Sequence, residues 1–127
     1  GRLEAPLSSY QRLARENPAN TFIFAHWGGG LPFYELNRAC RSDLRNVYYD
    51  TSASPLLYDE RIYRAVADII GPERILFGSD FPLRTFPRVQ QEPSFHEPLA
   101  EIRGSGLSPQ ELDLILGRNA ARLLGRD

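Results

Sequence analysis

The sequence predicts an α/β fold built on a parallel sheet, and three observations predict it. Short β-rich apolar runs alternate with segments of helical periodicity. The runs are apolar at consecutive positions, as in strands covered on both faces. Strands separated by helices pair in parallel through right-handed crossovers.

The elements follow in order. In "APLSSYQRLARENP", Leu7, Tyr10, Leu13 and Ala14 recur at helical spacing until Pro18 stops the pattern. "TFIFAH" is the first strand. "LPFYELNRACR" predicts a short helix with Pro32 in its first turn. "NVYYDTS" is the second strand, with Tyr48 and Tyr49 in its packing faces. "LYDERIYRAVADII" is a longer helix, with Ile62, Tyr63, Val66, Ile69 and Ile70 on one face and Gly71–Pro72 as its stop. "RILFGSD" is the third strand. A proline-rich loop, Arg84 to Pro98, precedes two more helical pieces. The first opens on a capping box, Ser108 with Glu111; the second carries a cap candidate in Asn119.

Three strands make a small sheet whose outer strands would expose apolar edges. The pattern also opens on a helix, where doubly wound domains more often open on a strand. The chain therefore has the character of the back part of something larger.

Composition narrows the function. The 127 residues suffice for one modest domain, taken here as residues 1–127. Hydrophobic content of 42% and charged content of 24% are those of an ordinary globular protein. A formal charge of −1 leaves no footprint for nucleic acid or an anionic membrane. No apolar run is long enough to span a bilayer, and "GRLEAPLSSY" lacks the core of a signal peptide. The single Cys40 excludes an internal disulfide and a cysteine-rich zinc site. It fits a reducing, cytoplasmic setting, and its helical spacing from Leu36 assigns it to packing or surface.

Each predicted strand delivers an ionisable side chain at its C-terminal end: His26, Asp50 and Asp80. In parallel α/β proteins that is the end where sites form. An imidazole and a carboxylate there suit either metal ligation or proton transfer to and from water. Asp50, followed by Thr51, Ser52 and Ser54, also suits a turn cap, and Trp27 suits either a pocket wall or a rim cover. His96 falls in the long loop and is expected at the surface. Gly28, Gly29 and Gly30 leave the backbone after His26 nearly bare, which fits a close approach by a ligand or a sharp bend that aims the histidine. A phosphate cradle is a weaker fit: "HWGGGLPF" has neither G-x-G-x-x-G spacing nor a Walker lysine.

Together "FIFAHWGGGLPF", "NVYYDTSAS", "RILFGSDFPL" and "ILGRNAARLLG" resemble the C-terminal part of the amidohydrolase-related (amidohydrolase-2) family. That branch of metal-dependent TIM-barrel enzymes includes aminocarboxymuconate semialdehyde decarboxylase and related aromatic-acid decarboxylases. The resemblance implies that the three strands are strands six, seven and eight of a (β/α)8 barrel. It implies that Asp80 is a ligand of the catalytic divalent metal, usually zinc. His26 would be the acid/base beside the metal-bound water, or would hold the substrate. Gly28 and Gly29, with Trp27 and Asp50, would border a small carboxylated substrate, and Arg38 lies near the place of a carboxylate-binding arginine in some members. The His-x-His of strand one and the histidine of strand five have no counterpart among the two histidines, His26 and His96. A whole barrel takes about 250 residues. The chain alone is thus expected to be inactive, its sheet completed by the N-terminal half-barrel or by self-association into a homo-oligomer. The alternatives from other classes are a non-catalytic half-barrel that pairs with itself, and a small anion-binding module.

Overall fold

A computed structural model of the chain describes residues 6–82 and 92–126. Most of the proline-rich loop expected from Arg84 to Pro98 lies outside the described residues; its end, from His96, is already helical. Three parallel strands, β1 (Phe22–Phe24), β2 (Val47–Asp50) and β3 (Ile75–Leu76), lie side by side in chain order. Phe24 is in register with Tyr49, and Tyr49 with Ile75. The helices are α1 (Leu7–Glu16), α2 (Arg38–Asp43), α3 (Ser54–Leu57), α4 (Ile62–Ile70), α5 (His96–Arg103), α6 (Pro109–Asp113) and α7 (Asn119–Leu123). Strands that follow one another without reversal, each crossover stepping the same way, are the pattern of a barrel segment; a doubly wound sheet reverses its order.

The core lies against one face of the sheet. Successive strand residues point to opposite faces. Phe22, Phe24, Val47, Tyr49 and Ile75 share one face, and all belong to the core or pack on it with Ala14 of α1, Val66 of α4 and Ile115. Tyr10 of α1 meets Phe24 edge-on, with ring centroids 5.4 Å apart. On the opposite face Ile23 is 53% exposed and Tyr48 is half-buried. The sequence predicted cover on both faces; the described residues cover one and, on the other, bury only Leu76 (7% exposed), leaving Ile23 bare. Burying a side chain such as Ile23 is worth about 1.5–3 kcal/mol, so the bare face is what an unclosed barrel wall leaves behind.

Several elements differ from the sequence expectation. "LPFYELNRACR" is not one helix. A left-handed turn over residues 26–30 runs into a 3-10 segment that ends at Asn37, whose Oδ1 accepts the N–H of Ala39 (2.9 Å) and starts α2. "LYDERIYRAVADII" is split between α3 and α4, because Asp59 Oδ1 accepts the Arg61 N–H (2.9 Å) and forms a turn. The two C-terminal pieces form one run through a π-helical turn, Leu114–Arg118. That turn lets the Ile115 carbonyl accept the Phe77 N–H (3.0 Å), tying the run to the end of β3. Asn119 is therefore no cap. It is buried, and its Nδ2 donates to the Pro72 and Ile75 carbonyls (2.8 Å each), clamping the turn that launches β3.

A buried ion pair holds the centre. Glu35 is 1% exposed. Arg74 donates to both its oxygens (2.7 Å each) and to the Val47 and Leu44 carbonyls (2.9 and 2.8 Å). Tyr49 Oη donates to Glu35 (2.9 Å). Burial, with the Glu35 charge beside it, pushes the Tyr49 phenol far above its ordinary range.

The capping box forms as predicted: Ser108 Oγ accepts the Glu111 N–H (3.2 Å), and Glu111 accepts the Ser108 N–H (2.7 Å). Arg64 adds a two-pronged contact of 2.8 and 2.9 Å. The Arg64 hydrogen bonds first, then the Ser108 N–H, hold the Glu111 carboxyl down to about 2. A depressed folded value contributes stability above the unfolded value of 4.5 that is lost as pH falls from there through about 2. The Glu111→Gln protein is expected to show a shallower decline of Tm over that window. A decline as steep as the parent's would place the acid sensitivity elsewhere.

Candidate active site

The site is built at the C-terminal ends of the three strands. After β1 the chain enters a left-handed turn: φ is 56° at His26 and Trp27, 57° at Gly28, 65° at Gly29 and 94° at Gly30. Each non-glycine residue in that conformation costs roughly 1–2 kcal/mol, so three glycines confine the strain to His26 and Trp27. The glycine run is thus the bend that aims the histidine. Gly28 has a second reason: a Cβ there would lie 3.0 Å from Tyr49 Cε1.

Trp27 holds the turn down. It is wholly buried, meets Tyr63 edge-on at 5.7 Å, and donates from Nε1 to Ser54 Oγ (2.7 Å). Expected at a pocket wall or rim, it is a core residue, and no surface of it remains to touch a substrate. His26, next to it, is only half-buried and lines a cavity of about 470 Å³ with Tyr10, Phe24, Gly28, Gly29 and Tyr58.

Every polar group of His26 but one has a partner. Its N–H donates to Asp50 Oδ1 (3.1 Å) and Ser52 Oγ (3.2 Å). Its carbonyl accepts from Tyr58 Oη (3.2 Å). Its Nδ1 lies 3.1 Å from the Ser52 carbonyl and 3.0 Å from Ser52 Oγ. Nε2 has no partner among the described residues. Asp50, expected to border the substrate, points its Oδ1 into this cluster, where it also accepts from Ser52 N (2.9 Å) and Ser52 Oγ. It is a turn former and a brace for His26. The His26 and Gly28 N–H groups are both spent within the protein, the latter on the Ala25 carbonyl (2.9 Å), so neither is left for an anion.

The end of β2 is joined to that of β3 by side chains. Thr51 Oγ1 donates to the Gly78 carbonyl (3.1 Å) and accepts its N–H (3.0 Å). A side chain on Gly78 would crowd this cluster: a Cβ would sit 3.3 Å from both Asp50 Cγ and Ser52 Cβ. Beyond it Asp80 is exposed, with φ 56°. Arg38 is exposed in the first turn of α2, with no hydrogen bond or ion pair among the described residues, and is not drawn into the His26 cluster. His96 is exposed at the start of α5, as expected. Sequence reasoning missed Ser52, Ser54 and Tyr58. The density of hydroxyls after Asp50 was the available signal.

No group of three or more His, Cys, Asp or Glu that could hold a metal forms among the described residues. A catalytic zinc site normally takes three protein ligands. Asp80 offers one exposed carboxylate, and the described residues do not make such a site alone. No described helix is long and apolar enough to cross a membrane.

The one-directional sheet, with helices packed on one face and ionisable residues after its strands, is that of a partial (β/α)8 barrel. The chain belongs to the amidohydrolase family, whose model matches residues 7–126. Similar solved structures include a dihydroxybenzoic acid decarboxylase from a Polaromonas species with bound manganese, at 20% identity and TM-score 0.71, over 94% of this chain and 39% of that one. The 5-carboxyvanillate decarboxylase of Sphingomonas paucimobilis matches at 18% and 0.69, over 91% and 38%. A zinc-bound amidohydrolase from Burkholderia multivorans matches at 26% and 0.62, over 91% and 48%. The chain thus spans less than half the length of these enzymes, of which the Polaromonas structure carries manganese and the Burkholderia structure zinc. No curated relative matches it.

Proposed function

We propose that these residues are strands six to eight of a metal-dependent barrel enzyme that hydrolyses or decarboxylates a small carboxylated molecule. The observation that carries this is the presentation of His26: main chain and Nδ1 are all engaged, which leaves Nε2 for a reacting group. In this reading His26 takes or returns a proton at Nε2, and Asp80 supplies one ligand of a divalent metal, with zinc preferred. A bound metal of this kind lowers the pKa of water and polarises a substrate oxygen. The family match and the metal-bound neighbours support the reading. So does the bare Ile23 face, which an N-terminal half-barrel, or a second copy in a homo-oligomer, would cover. The chain without that complement is inactive in this reading, and the lone Cys40 suits a cytoplasmic enzyme.

The test uses the full-length protein. His26→Ala should lower turnover about 10²–10⁴-fold, the usual contribution of a positioned acid/base, with metal content near that of the parent. Asp80→Ala should lose both metal and turnover. Full activity in both variants would sink the assignment.

A further inference from the structure

Asp50 and Ser52 do more than form a turn. Their hydrogen bonds can be followed from groups that can only accept. A carboxylate has no proton to give, so Ser52 Oγ must donate its hydrogen to Asp50 Oδ1. With that hydrogen committed, Ser52 Oγ can only accept from His26 Nδ1, 3.0 Å away. The Ser52 carbonyl, 3.1 Å from the same nitrogen, is likewise an acceptor. Two acceptors facing one ring nitrogen require the hydrogen to sit there. Asp50 also holds the His26 and Ser52 N–H groups at 3.1 and 2.9 Å, so one carboxylate oxygen fixes both the direction of the hydroxyl and the two backbones that carry it. We propose that Asp50 and Ser52 are positioning residues that lock neutral His26 as its Nδ1–H tautomer, which keeps the Nε2 lone pair free at the barrel mouth.

Such outer partners set the orientation and basicity of a working histidine, and their loss commonly lowers activity or metal affinity 10–100-fold. The proposal rests on the reading of His26 as the acid/base, but its measurement does not. Imidazole-¹⁵N-labelled full-length protein is examined by long-range ¹H–¹⁵N correlation at about pH 8.5, above the ordinary histidine range. His26→Gln identifies the ring signals by difference. The parent should show a protonated Nδ1 and an unprotonated Nε2. Asp50→Ala removes the acceptor and frees the Ser52 hydroxyl to donate to Nδ1, so the His26 signals should move toward the averaged pattern of a mobile ring, with turnover about 10–100-fold lower. Ser52→Ala severs the same link without touching the carboxylate and should move them in the same direction, which covers an Asp50 variant that fails to fold. An Nε2–H or averaged ring in the parent overturns the proposal. So does an Nδ1–H tautomer that persists unchanged in both variants, because the Ser52 carbonyl would then suffice. A locked tautomer together with full turnover in His26→Gln would leave this inference standing and remove the catalytic reading instead.

Discussion

Arg74→Ala is expected to destabilise the fold by about 3–5 kcal/mol, the range for removing one partner of a buried ion pair. The guanidinium does four things at once. It answers both oxygens of a carboxylate that is 1% exposed, and it satisfies the Leu44 carbonyl at the end of α2 and the Val47 carbonyl at the start of β2. Alanine would leave Glu35 charged in a dry place, with only Tyr49 Oη for company. Lysine is not a conservative replacement, because a point charge cannot reproduce a planar fork reaching four acceptors. An intermediate loss is expected for Arg74→Lys. The measurement is urea unfolding followed by tryptophan emission. Adding Glu35→Leu to Arg74→Ala should recover part of the loss, since an apolar pair removes the stranded charge. A loss below about 1 kcal/mol in the single variant, within the range of exposed pairs, would mean that water reaches Glu35 and that the pair contributes as a surface bridge does.

Trp27→Ala should cost about 3–5 kcal/mol, as large-to-small changes of buried aromatics do. The expectation is specific to this site because Trp27 anchors a strained turn. Its indole fills the space beside Tyr63 and bonds Ser54, and that packing holds two non-glycine residues at positive φ. Without it the left-handed conformation at His26 loses its support, so turnover of the full-length protein should fall as well. Trp27→Phe separates the two contributions. It keeps most of the volume, and Ser54 Oγ still donates to the Thr51 carbonyl (2.6 Å), so the loss should be about 1 kcal/mol. Because Trp27 is the one tryptophan of the sequence, unfolding of its variants is followed by circular dichroism. Equal losses in the alanine and phenylalanine proteins would show that the hydrogen bond, and not the packed indole, holds the turn.

The site was half legible. His26, Asp50 and Asp80 could be placed at one end of a parallel sheet because strand ends are marked locally, by apolar runs that stop at polar residues and glycine. The same locality made α1, the Ser108 cap and the stop at Gly71 readable. Asp50's role was not, since the sequence supplies a carboxylate at a strand end but not the residue it will face. Trp27 was misplaced for the same reason: its burial depends on α4, which lies far along the chain. Asn119 has the composition of a cap, yet its partners, Pro72 and Ile75, are 47 and 44 residues away.

By itself the sequence determined the order of helices and strands, their parallel pairing and the chemistry carried at each strand end, because periodicity, caps and breakers act over a few residues. Only the tertiary structure decided that Glu35 meets Arg74 across 39 residues, that Ile23 stays bare on the other face of the sheet, and that Asp50 and Ser52 brace His26. Those outcomes follow from which side chains meet when distant segments pack together, and neither residue type nor local spacing encodes that meeting.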